Sequence, residues 1–193
     1  VYKRQEEMGL AYEAHAVDIG KDDQFAPDFL KISPNNKIPA IRDRETGFHL
    51  MESGAILLWL AEKSGQFLPT SHRWEAMEWL MWQMAGFGPM LGQAHHFLKF
   101  KAGTSAYAEE RYHTEAQRLY GVLDRHLEGR DFILGDYSIV DMATWPWASR
   151  FEWQQIDLAS FPNVKDWYLR IADRPAVQRG YDVPHATTPI PLP

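Results

Sequence analysis

The fold is decided by a loop that runs into a broken strand, Lys31-Ile32-Ser33-Pro34-Asn35-Asn36-Lys37-Ile38-Pro39-Ala40-Ile41, and by the segment Met51-Glu52-Ser53-Gly54-Ala55-Ile56 that follows it. Between them lies the polar turn Asp43-Arg44-Glu45-Thr46-Gly47. Residues 38–41 and 48–51 are therefore predicted to pair as an antiparallel hairpin. Because Pro39 lacks a backbone N–H, it belongs at an edge or a break where the backbone faces something other than a neighbouring strand.

A helix is predicted to follow the hairpin. Ser53 can cap it, Ile56, Leu57 and Leu60 recur at helical spacing, and Gly65 stands where a C-cap is expected. Glu52 and Ser53 thus lie at a helix N-terminus, whose unpaired N–H groups attract a carboxylate. With the Glu52 carboxylate available for an ammonium group, this end of the hairpin suits a small zwitterionic peptide.

Composition limits the classes of partner. The net charge of −6 and the lack of a basic run argue against nucleic acid and anionic membrane surfaces, and no apolar stretch approaches the roughly 20 residues of a membrane helix. The 193 residues contain no cysteine, so any thiol chemistry needs a sulfur that the ligand brings.

The rest of the chain is predicted to be mainly helical. Residues 1–10 are predicted to end a helix, residues 12–19 to form a short strand, and Pro27 to open a second helix. The composition shift after Gly65 gives predicted domains at 1–66 and 71–185, with a proline-rich tail at 186–193. Within the second, Gly86-Phe87-Gly88-Pro89 should break a helix, 106–126 should form one, and Ser138-Ile139-Val140-Asp141 has the form of a capping box. Pro162 and Pro175 are predicted to open two later helices.

The order and spacing of several motifs resemble the cytosolic glutathione transferase superfamily, and in particular its bacterial Nu class, which includes glutathione-dependent disulfide-bond oxidoreductases. Beyond the two stretches quoted first, the resemblance rests on Gly20 to Phe25, on Gly88-Pro89-Met90-Leu91-Gly92-Gln93 through His95-His96-Phe97, and on Ser138-Ile139-Val140-Asp141 through Trp145-Pro146-Trp147. It implies a thioredoxin-like α/β domain followed by an all-helical bundle. It also implies that the first strand and the loop with the sulfur-activating residue, typically Thr or Asn, would lie before Val1, so the catalytic residue is unknown.

The resemblance also implies a glutathione site. In the family the Ile38-Pro39 bond is cis, and the Ile38 backbone pairs with the cysteinyl backbone of glutathione. Glu52 would hold the γ-glutamyl amino group, and Ser53 its carboxylate, whereas both residues could instead simply cap a helix. Lys37 would neutralise a ligand carboxylate, its alternative being an ordinary solvated lysine.

Two further residues are assigned to glutathione by resemblance. Gln24 corresponds to a glutamine that contacts it in Nu-class relatives, with a solvated loop glutamine as the alternative. Arg111 matches an arginine of the helical domain that reaches glutathione, and an arginine fork suits a carboxylate. Its alternative is a helix-surface ion pair with Glu110 or Glu115.

A second-substrate pocket is a weaker hypothesis, because ordinary packing explains the same residues. Its members would be Met90, Gln93, His95, His96 and Phe97. Adjacent histidines on a helix point about 100° apart and lack the i, i+4 spacing that grips zinc, so no metal is predicted.

The resemblance implies an enzyme of the glutathione transferase type, with glutathione as co-substrate and no metal. It would direct the glutathione thiolate at a disulfide, a peroxide or a small electrophile. The alternative is a non-catalytic glutathione-binding regulatory protein of the same fold. A homodimer in the cytoplasm is expected by resemblance.

Overall fold

A computed structural model describes residues 6–184 and 189–193. Two compact units emerge, and each is described by itself. One contains the described residues up to Gln66 together with 176–184, and the other contains Phe67–Pro175 with Pro189–Pro193.

The α-helices follow the proline, serine and glycine signals of the sequence closely. After the helical residues 6–8, the α-helices of the described residues are, in chain order, α1 (Pro27–Leu30), α2 (Ser53–Ser64), α3 (Arg73–Trp82), α4 (Gly88–His95), α5 (Ala106–His126), α6 (Ile139–Ala148), α7 (Pro162–Ala172) and α8 (Pro175–Tyr181). Short 3-10 helices lie at Ile19–Lys21, Asp23–Phe25, Thr70–His72, Phe151–Gln154 and Leu158–Ser160, and π-helical turns at Gln83–Phe87 and His96–Phe100. The predicted helix starts at Pro27, Pro162 and Pro175 are confirmed.

The predicted hairpin is present, with shorter strands than expected. β1 (Ala40–Arg42) pairs antiparallel with β2 (His49–Met51), so that Ala40 lies opposite Met51. Asp43 organises the turn: its Oδ1 accepts the Glu45 N–H at 3.1 Å, and its Oδ2 lies 3.1 Å from Lys63 Nζ on α2. One aspartate thereby ties the hairpin to the helix that follows it.

The strand predicted over residues 12–19 is wrong. Residues 11–18 form neither helix nor strand, and Ile19 opens a 3-10 helix with its side chain 60% exposed. The apolar alternation is weak, its members Tyr12, Ala14 and Val17 are only half-buried, and the described sheet pairs β1 with β2 and not with this segment. The predicted helix end over residues 1–10 is seen as helical residues 6–8 and a left-handed Gly9, while Val1–Gln5 lie outside the described residues.

The second unit has its helix break where the sequence predicted it. The π-helical turn Gln83–Phe87 leads into α4, which has Pro89 in its first turn. At the junction a β-carbon on Gly88 would lie only 2.9 Å from Trp147 Nε1, closer than real Cβ contacts allow. Glycine therefore lets α4 approach Trp147.

The capping box at the start of α6 is confirmed, and its acid is buried. Asp141 accepts the Ser138 N–H at 2.9 Å and the Ser138 hydroxyl at 3.0 Å. Its other oxygen accepts the Ile133 N–H at 3.0 Å and Trp167 Nε1–H at 2.9 Å. Asp141 thus joins the start of α6 to the preceding loop and to α7.

The end of the chain is described only in part. Of the predicted tail, residues 186–188 lie outside the described residues, and 189–193 form neither helix nor strand. This last segment is held in place by the Tyr168 hydroxyl, which donates to the Pro191 carbonyl at 2.7 Å.

Candidate functional site: a hairpin end and a helical groove

Glu52 has an unusual backbone conformation at the start of α2. It is the N-cap residue, with φ 70° and ψ 118°, and its side chain does not cap the helix. A left-handed φ is uncommon for a residue with a β-carbon, and such strain persists where the surroundings impose it, often at functional sites. Ser53, predicted as the cap, is instead the first helical residue. The turn thus leaves the Glu52 side chain exposed beside the first N–H groups of α2.

The strand break lies at the other side of the same hairpin end. The Ile38-Pro39 bond is cis, as the resemblance implies, and the Ile38 side chain is 51% exposed. The N–H and C=O groups of Ile38 have no hydrogen-bond partner among the described residues. Backbone groups of a structured loop that lack protein partners can serve a ligand.

The strand register brings these two features together. Ala40 and Met51 are the paired residues at this end of the hairpin, so Pro39 and Glu52 each lie one residue beyond them. The Ile38-Pro39 break and the N-terminus of α2 therefore emerge at the same end. An unpaired backbone strand, an exposed carboxylate and a helix N-terminus occupy one small region.

Lys37 and Gln24 are also in the first unit. The Lys37 side chain is exposed and has no ion pair within the described ranges 6–184 and 189–193. Gln24 lies in a 3-10 helix; its Nε2 is 3.4 Å from Asp22 Oδ1, and its Oε1 is buried without a hydrogen-bond partner. A buried acceptor without a donor is uncommon in folded proteins, and the Gln24 Oε1 can accept a hydrogen bond from a bound molecule.

Arg111 lies in the second unit, on a groove of about 570 Å³ along α5. The groove is lined by Met90 from α4 and by Tyr107, Glu110, Arg111, Tyr112, Thr114 and Glu115 from α5. The Arg111 side chain is exposed to this space. The volume of the groove is sufficient for a small organic molecule.

The ion pair that would explain Arg111 structurally does not form. Glu115 instead pairs with Arg118, whose Nε and Nη2 each donate to a carboxylate oxygen at 2.7 Å. The Arg118 hydrogen bond, and more weakly the charge of Arg111, hold the pKa of Glu115 below its ordinary value. Within the part of the chain that the structure describes, Arg111 has no hydrogen-bond or ion-pair partner, so its guanidinium is available to an anion.

The five residues of the predicted second-substrate pocket are divided by the structure. Met90 lines the groove, and the Phe97 ring stacks on Tyr112 with centroids 5.5 Å apart. Gln93 and His96 are exposed residues of α4 and of the π-helical turn after it. His95 is buried and lies against Trp147 and Trp153 at centroid distances of 5.9 and 5.7 Å.

His95 belongs to an interior hydrogen-bonded chain. The Tyr120 hydroxyl donates to Gln154 Oε1 at 2.7 Å, which makes the Gln154 amide nitrogen the donor toward His95 Nε2 at 2.8 Å. His95 is therefore a neutral acceptor at that nitrogen. Burial, with a smaller contribution from the charge of Arg150, lowers its pKa to about 4.

Sequence reasoning missed the aromatic part of the groove. Tyr107, 72% exposed, precedes Arg111 and Thr114 by four and seven residues, the spacing that puts side chains on one helix face. The four- and seven-residue spacing along a predicted helix is the sequence signal that could have grouped these three residues on one face. Among the described residues, no group of three or more His, Cys, Asp or Glu side chains could hold a metal ion, and none of the described helices has the length and apolarity to cross a membrane.

A two-strand hairpin that presents a proline-broken strand beside a helix N-terminus, followed by a separate all-helical unit, defines the glutathione transferase class of fold. The family models agree. The N-terminal domain of glutathione S-transferases matches residues 6–63, and the C-terminal domain matches residues 87–175. The chain belongs to the glutathione S-transferase family.

Individual relatives are similar over most of their length. The disulfide-bond oxidoreductase YfcG of Escherichia coli strain K12 is 52% identical over 179 residues, which cover 89% of this chain and 83% of that protein. The crystal structure of a Pseudomonas putida glutathione transferase with one glutathione disulfide per subunit has a TM-score of 0.90 at 44% identity, covering 95% of this chain and 86% of that one. A Burkholderia graminis glutathione transferase with two glutathione molecules per subunit also has a TM-score of 0.90 at 44% identity, covering 95% and 82%.

Proposed function

We propose that this protein is a glutathione-dependent enzyme whose main reaction is the reduction of disulfide bonds. The observation that carries the proposal is the hairpin end, where the unpaired Ile38 backbone lies beside the exposed carboxylate of Glu52 and the N-terminus of α2. The similarity to a disulfide-bond oxidoreductase and to a transferase that holds glutathione disulfide supports the choice of reaction. Peroxide reduction and conjugation to electrophiles are secondary activities of the same bound thiol.

Each end of glutathione has a chemically matched group in the first unit. The Glu52 carboxylate pairs with the γ-glutamyl ammonium, and the Ser53 N–H and hydroxyl donate to the neighbouring carboxylate at the positive end of α2. The Ile38 N–H and C=O pair with the cysteinyl backbone. Lys37 neutralises a ligand carboxylate, and the unpaired Gln24 Oε1 accepts from a ligand N–H.

In the second unit, Arg111 is also suited to bind a carboxylate of glutathione. Its guanidinium is a rigid, permanently charged donor that recognises a carboxylate through two parallel hydrogen bonds. Glutathione carries two carboxylates, and glutathione disulfide carries four. The groove along α5 is therefore proposed to take a glutathionyl carboxylate at Arg111.

The reaction is thiol–disulfide exchange. The bound glutathione thiolate attacks one sulfur of the substrate disulfide, a new S–S bond forms, and the other sulfur leaves as a thiolate that takes up a proton. A second glutathione thiolate then attacks the mixed disulfide, releasing the second substrate thiol and forming glutathione disulfide. Because the 193 residues contain no cysteine, both attacking sulfurs in this scheme come from glutathione.

The test compares two activities of the natural full-length protein. We expect fast glutathione-dependent reduction of a small disulfide and slow conjugation of an aryl halide. Fast conjugation with negligible disulfide reduction would contradict the proposed main reaction and indicate a conventional transferase. Glutathione binding without turnover in either assay would indicate the non-catalytic regulatory alternative.

We further propose a homodimer located in the cytoplasm. One face of α3 carries two exposed apolar side chains seven residues apart, Trp74, 82% exposed, and Met81, 52% exposed, and contact with a second copy of the chain would cover them. Analytical ultracentrifugation tests the dimer, and a species of single-chain mass at micromolar concentration would contradict it.

A further inference from the structure

Ser33 is completely buried in the loop that leads to the strand break, and all of its polar groups are paired. Its N–H donates to the Phe29 carbonyl at 2.8 Å, at the end of α1, and its carbonyl accepts the Asn36 N–H at 2.9 Å. Its hydroxyl donates to the Lys37 carbonyl at 2.8 Å. The serine is thereby fixed to a helix on one side and holds the peptide before Ile38 on the other.

The turn between Ser33 and Lys37 depends on this residue. Asn36 has a left-handed φ of 47°, which asparagine tolerates better than most residues but which still needs support from its surroundings. The turn bond from Asn36 and the hydroxyl bond to Lys37 close it from within. Met51 Sδ, 3.9 Å from the hydroxyl, is a weak acceptor, so the single hydroxyl proton goes to the Lys37 carbonyl.

The geometry of the peptide group connects Ser33 to the ligand site. The Lys37 carbonyl and the Ile38 N–H belong to one planar trans peptide, in which C=O and N–H point in opposite directions. When Ser33 draws the carbonyl inward, the Ile38 N–H must point the other way. This N–H is the one that lacks a protein partner at the hairpin end.

We propose that Ser33 is a positioning residue for glutathione: its buried hydroxyl fixes the Lys37-Ile38 peptide plane so that the Ile38 N–H is aimed at the cysteinyl carbonyl of the ligand. The inference rests on the proposed function, since it concerns the same site. Ser33 itself touches no reacting atom. Its effect is to remove the freedom of one peptide plane before the ligand binds, which lowers the ordering cost of binding.

The test uses Ser33→Ala with Ser149→Ala as a matched control. Ser149 is also a buried serine, and its hydroxyl also donates to a backbone carbonyl, that of Pro146, at 2.8 Å. We expect Ser33→Ala to raise the KM for glutathione about fivefold, from the loss of one oriented hydrogen bond, with kcat at saturation within about twofold. Ser149→Ala should leave the KM unchanged even where it lowers the melting temperature as much.

A ligand analogue distinguishes the positioning of the Ile38 N–H by Ser33 from a general loss of glutathione affinity in the variant. In an analogue of glutathione with a methylene in place of the cysteinyl carbonyl, the Ile38 N–H has no acceptor. The unmutated protein should bind this analogue more weakly than glutathione, whereas Ser33→Ala should discriminate between the two ligands about fivefold less. Equal discrimination by both proteins would overturn the proposal.

Hydrogen exchange of the Ile38 amide tests the proposal in the unmutated protein, so this measurement does not depend on whether a variant folds. The amide should exchange freely without ligand and become protected when glutathione binds; an amide that bound glutathione leaves unprotected would overturn the proposal. If the unmutated protein binds no glutathione at all, the proposed function itself fails. If it binds glutathione and Ser33→Ala binds it equally well, the role of Ser33 alone fails.

Discussion

The hairpin end around Ile38 and Glu52 and the base of α6 around Asp141 both hold polar groups in fixed positions, but only the second supplies them with partners. Asp141 is completely buried and accepts four hydrogen bonds from Ile133, Ser138 and Trp167. The Ile38 backbone groups have none from the described protein, although the loop that carries them is tightly closed.

This difference in hydrogen-bond partners distinguishes polar groups that stabilise the fold from polar groups that are available to bind a ligand. A polar group that is buried and paired stabilises one structure, and removing its partner leaves an unsatisfied donor or acceptor. A polar group that is held in place and left open contributes little to the fold, and its hydrogen-bonding capacity remains for a ligand. The predictions below test whether the two regions respond to substitution in these two ways.

The largest expected effect is on folding. Asp141→Ala leaves the Ile133 and Ser138 N–H groups and the Trp167 indole N–H without their acceptor, and we expect the free energy of unfolding to fall by about 4 kcal/mol. Urea denaturation followed by tryptophan fluorescence measures this. Asp136→Ala, an exposed aspartate in the same loop, is the control and should change stability by less than about 0.5 kcal/mol. A similar small loss in both variants would show that the buried network does not stabilise the fold.

A second effect is a loss of stability in mild acid, caused by His95. Burial lowers the pKa of this histidine to about 4 in the folded state, against about 6.5 when unfolded. Between these values the unfolded chain binds the extra proton, so stability falls as the pH falls from about 6.5 toward 4, by about 2 kcal/mol. Protonation would also oppose the Gln154 amide donor.

His95→Gln removes the titrating group while keeping an acceptor for the Gln154 amide. The stability of this variant should decline less between pH 6.5 and 4.5 than that of the unmutated protein, in urea denaturation at each pH. His49→Gln, at an exposed position of β2, should retain the steep decline. Parallel curves for the unmutated protein and His95→Gln would contradict the assignment to His95.

Sequence reasoning predicted the elements whose local signals agree with their tertiary environment. The turn Asp43–Gly47, the C-cap Gly65, the prolines that open α1, α7 and α8, and the capping box at Ser138 each fix the backbone through contacts a few residues apart. These signals can be read without the fold because the physics that produces them is local. The hairpin could be predicted for the same reason, because its turn signal is also local.

The features that the sequence did not reveal depend on which of several possible contacts forms. Glu115 is within reach of both Arg111 and Arg118 along α5, and it pairs with Arg118, which leaves Arg111 without an ion pair among the described residues. The left-handed φ of Glu52 arises where the hairpin has to turn into α2, and the sequence suggested Ser53 as the cap. For His95 the sequence left two interpretations open, a pocket residue or ordinary packing, and its burial against Trp147 and Trp153 corresponds to the second.

A third prediction concerns the open guanidinium of Arg111. Because it has no partner among the described residues, Arg111→Met should leave stability nearly unchanged and weaken binding of glutathione or its disulfide about tenfold. Isothermal titration calorimetry measures the affinity. Arg125→Met, an exposed arginine of the same helix α5 outside the groove, is the matched control and should bind normally. If Arg111→Met were destabilised and its affinity for glutathione unchanged, Arg111 would contribute to the stability of the fold and not to ligand binding.

The smallest expected effect is a difference in stability between two variants of Glu52. It distinguishes backbone strain at this residue from its proposed role in binding. Glu52→Gln and Glu52→Gly both remove the carboxylate proposed to hold the γ-glutamyl ammonium, so both should bind glutathione more weakly. Only glycine also removes the β-carbon that makes a φ of 70° costly. We therefore expect Glu52→Gly to be more stable than Glu52→Gln by about 1 kcal/mol in urea denaturation.

The same pair of substitutions at Glu78 is the control. Glu78 is an exposed residue inside α3, where the backbone is helical, so Glu78→Gly should be less stable than Glu78→Gln by about 1 kcal/mol, the opposite order from that expected at Glu52. If the two Glu52 variants have equal stability, the unusual backbone at the start of α2 costs nothing, and its shape is not evidence for a ligand site. If glycine is more stable yet binds weakly, the protein maintains a strained backbone at the position where the ligand needs a carboxylate, in contrast to Asp141, where burial and pairing stabilise the fold.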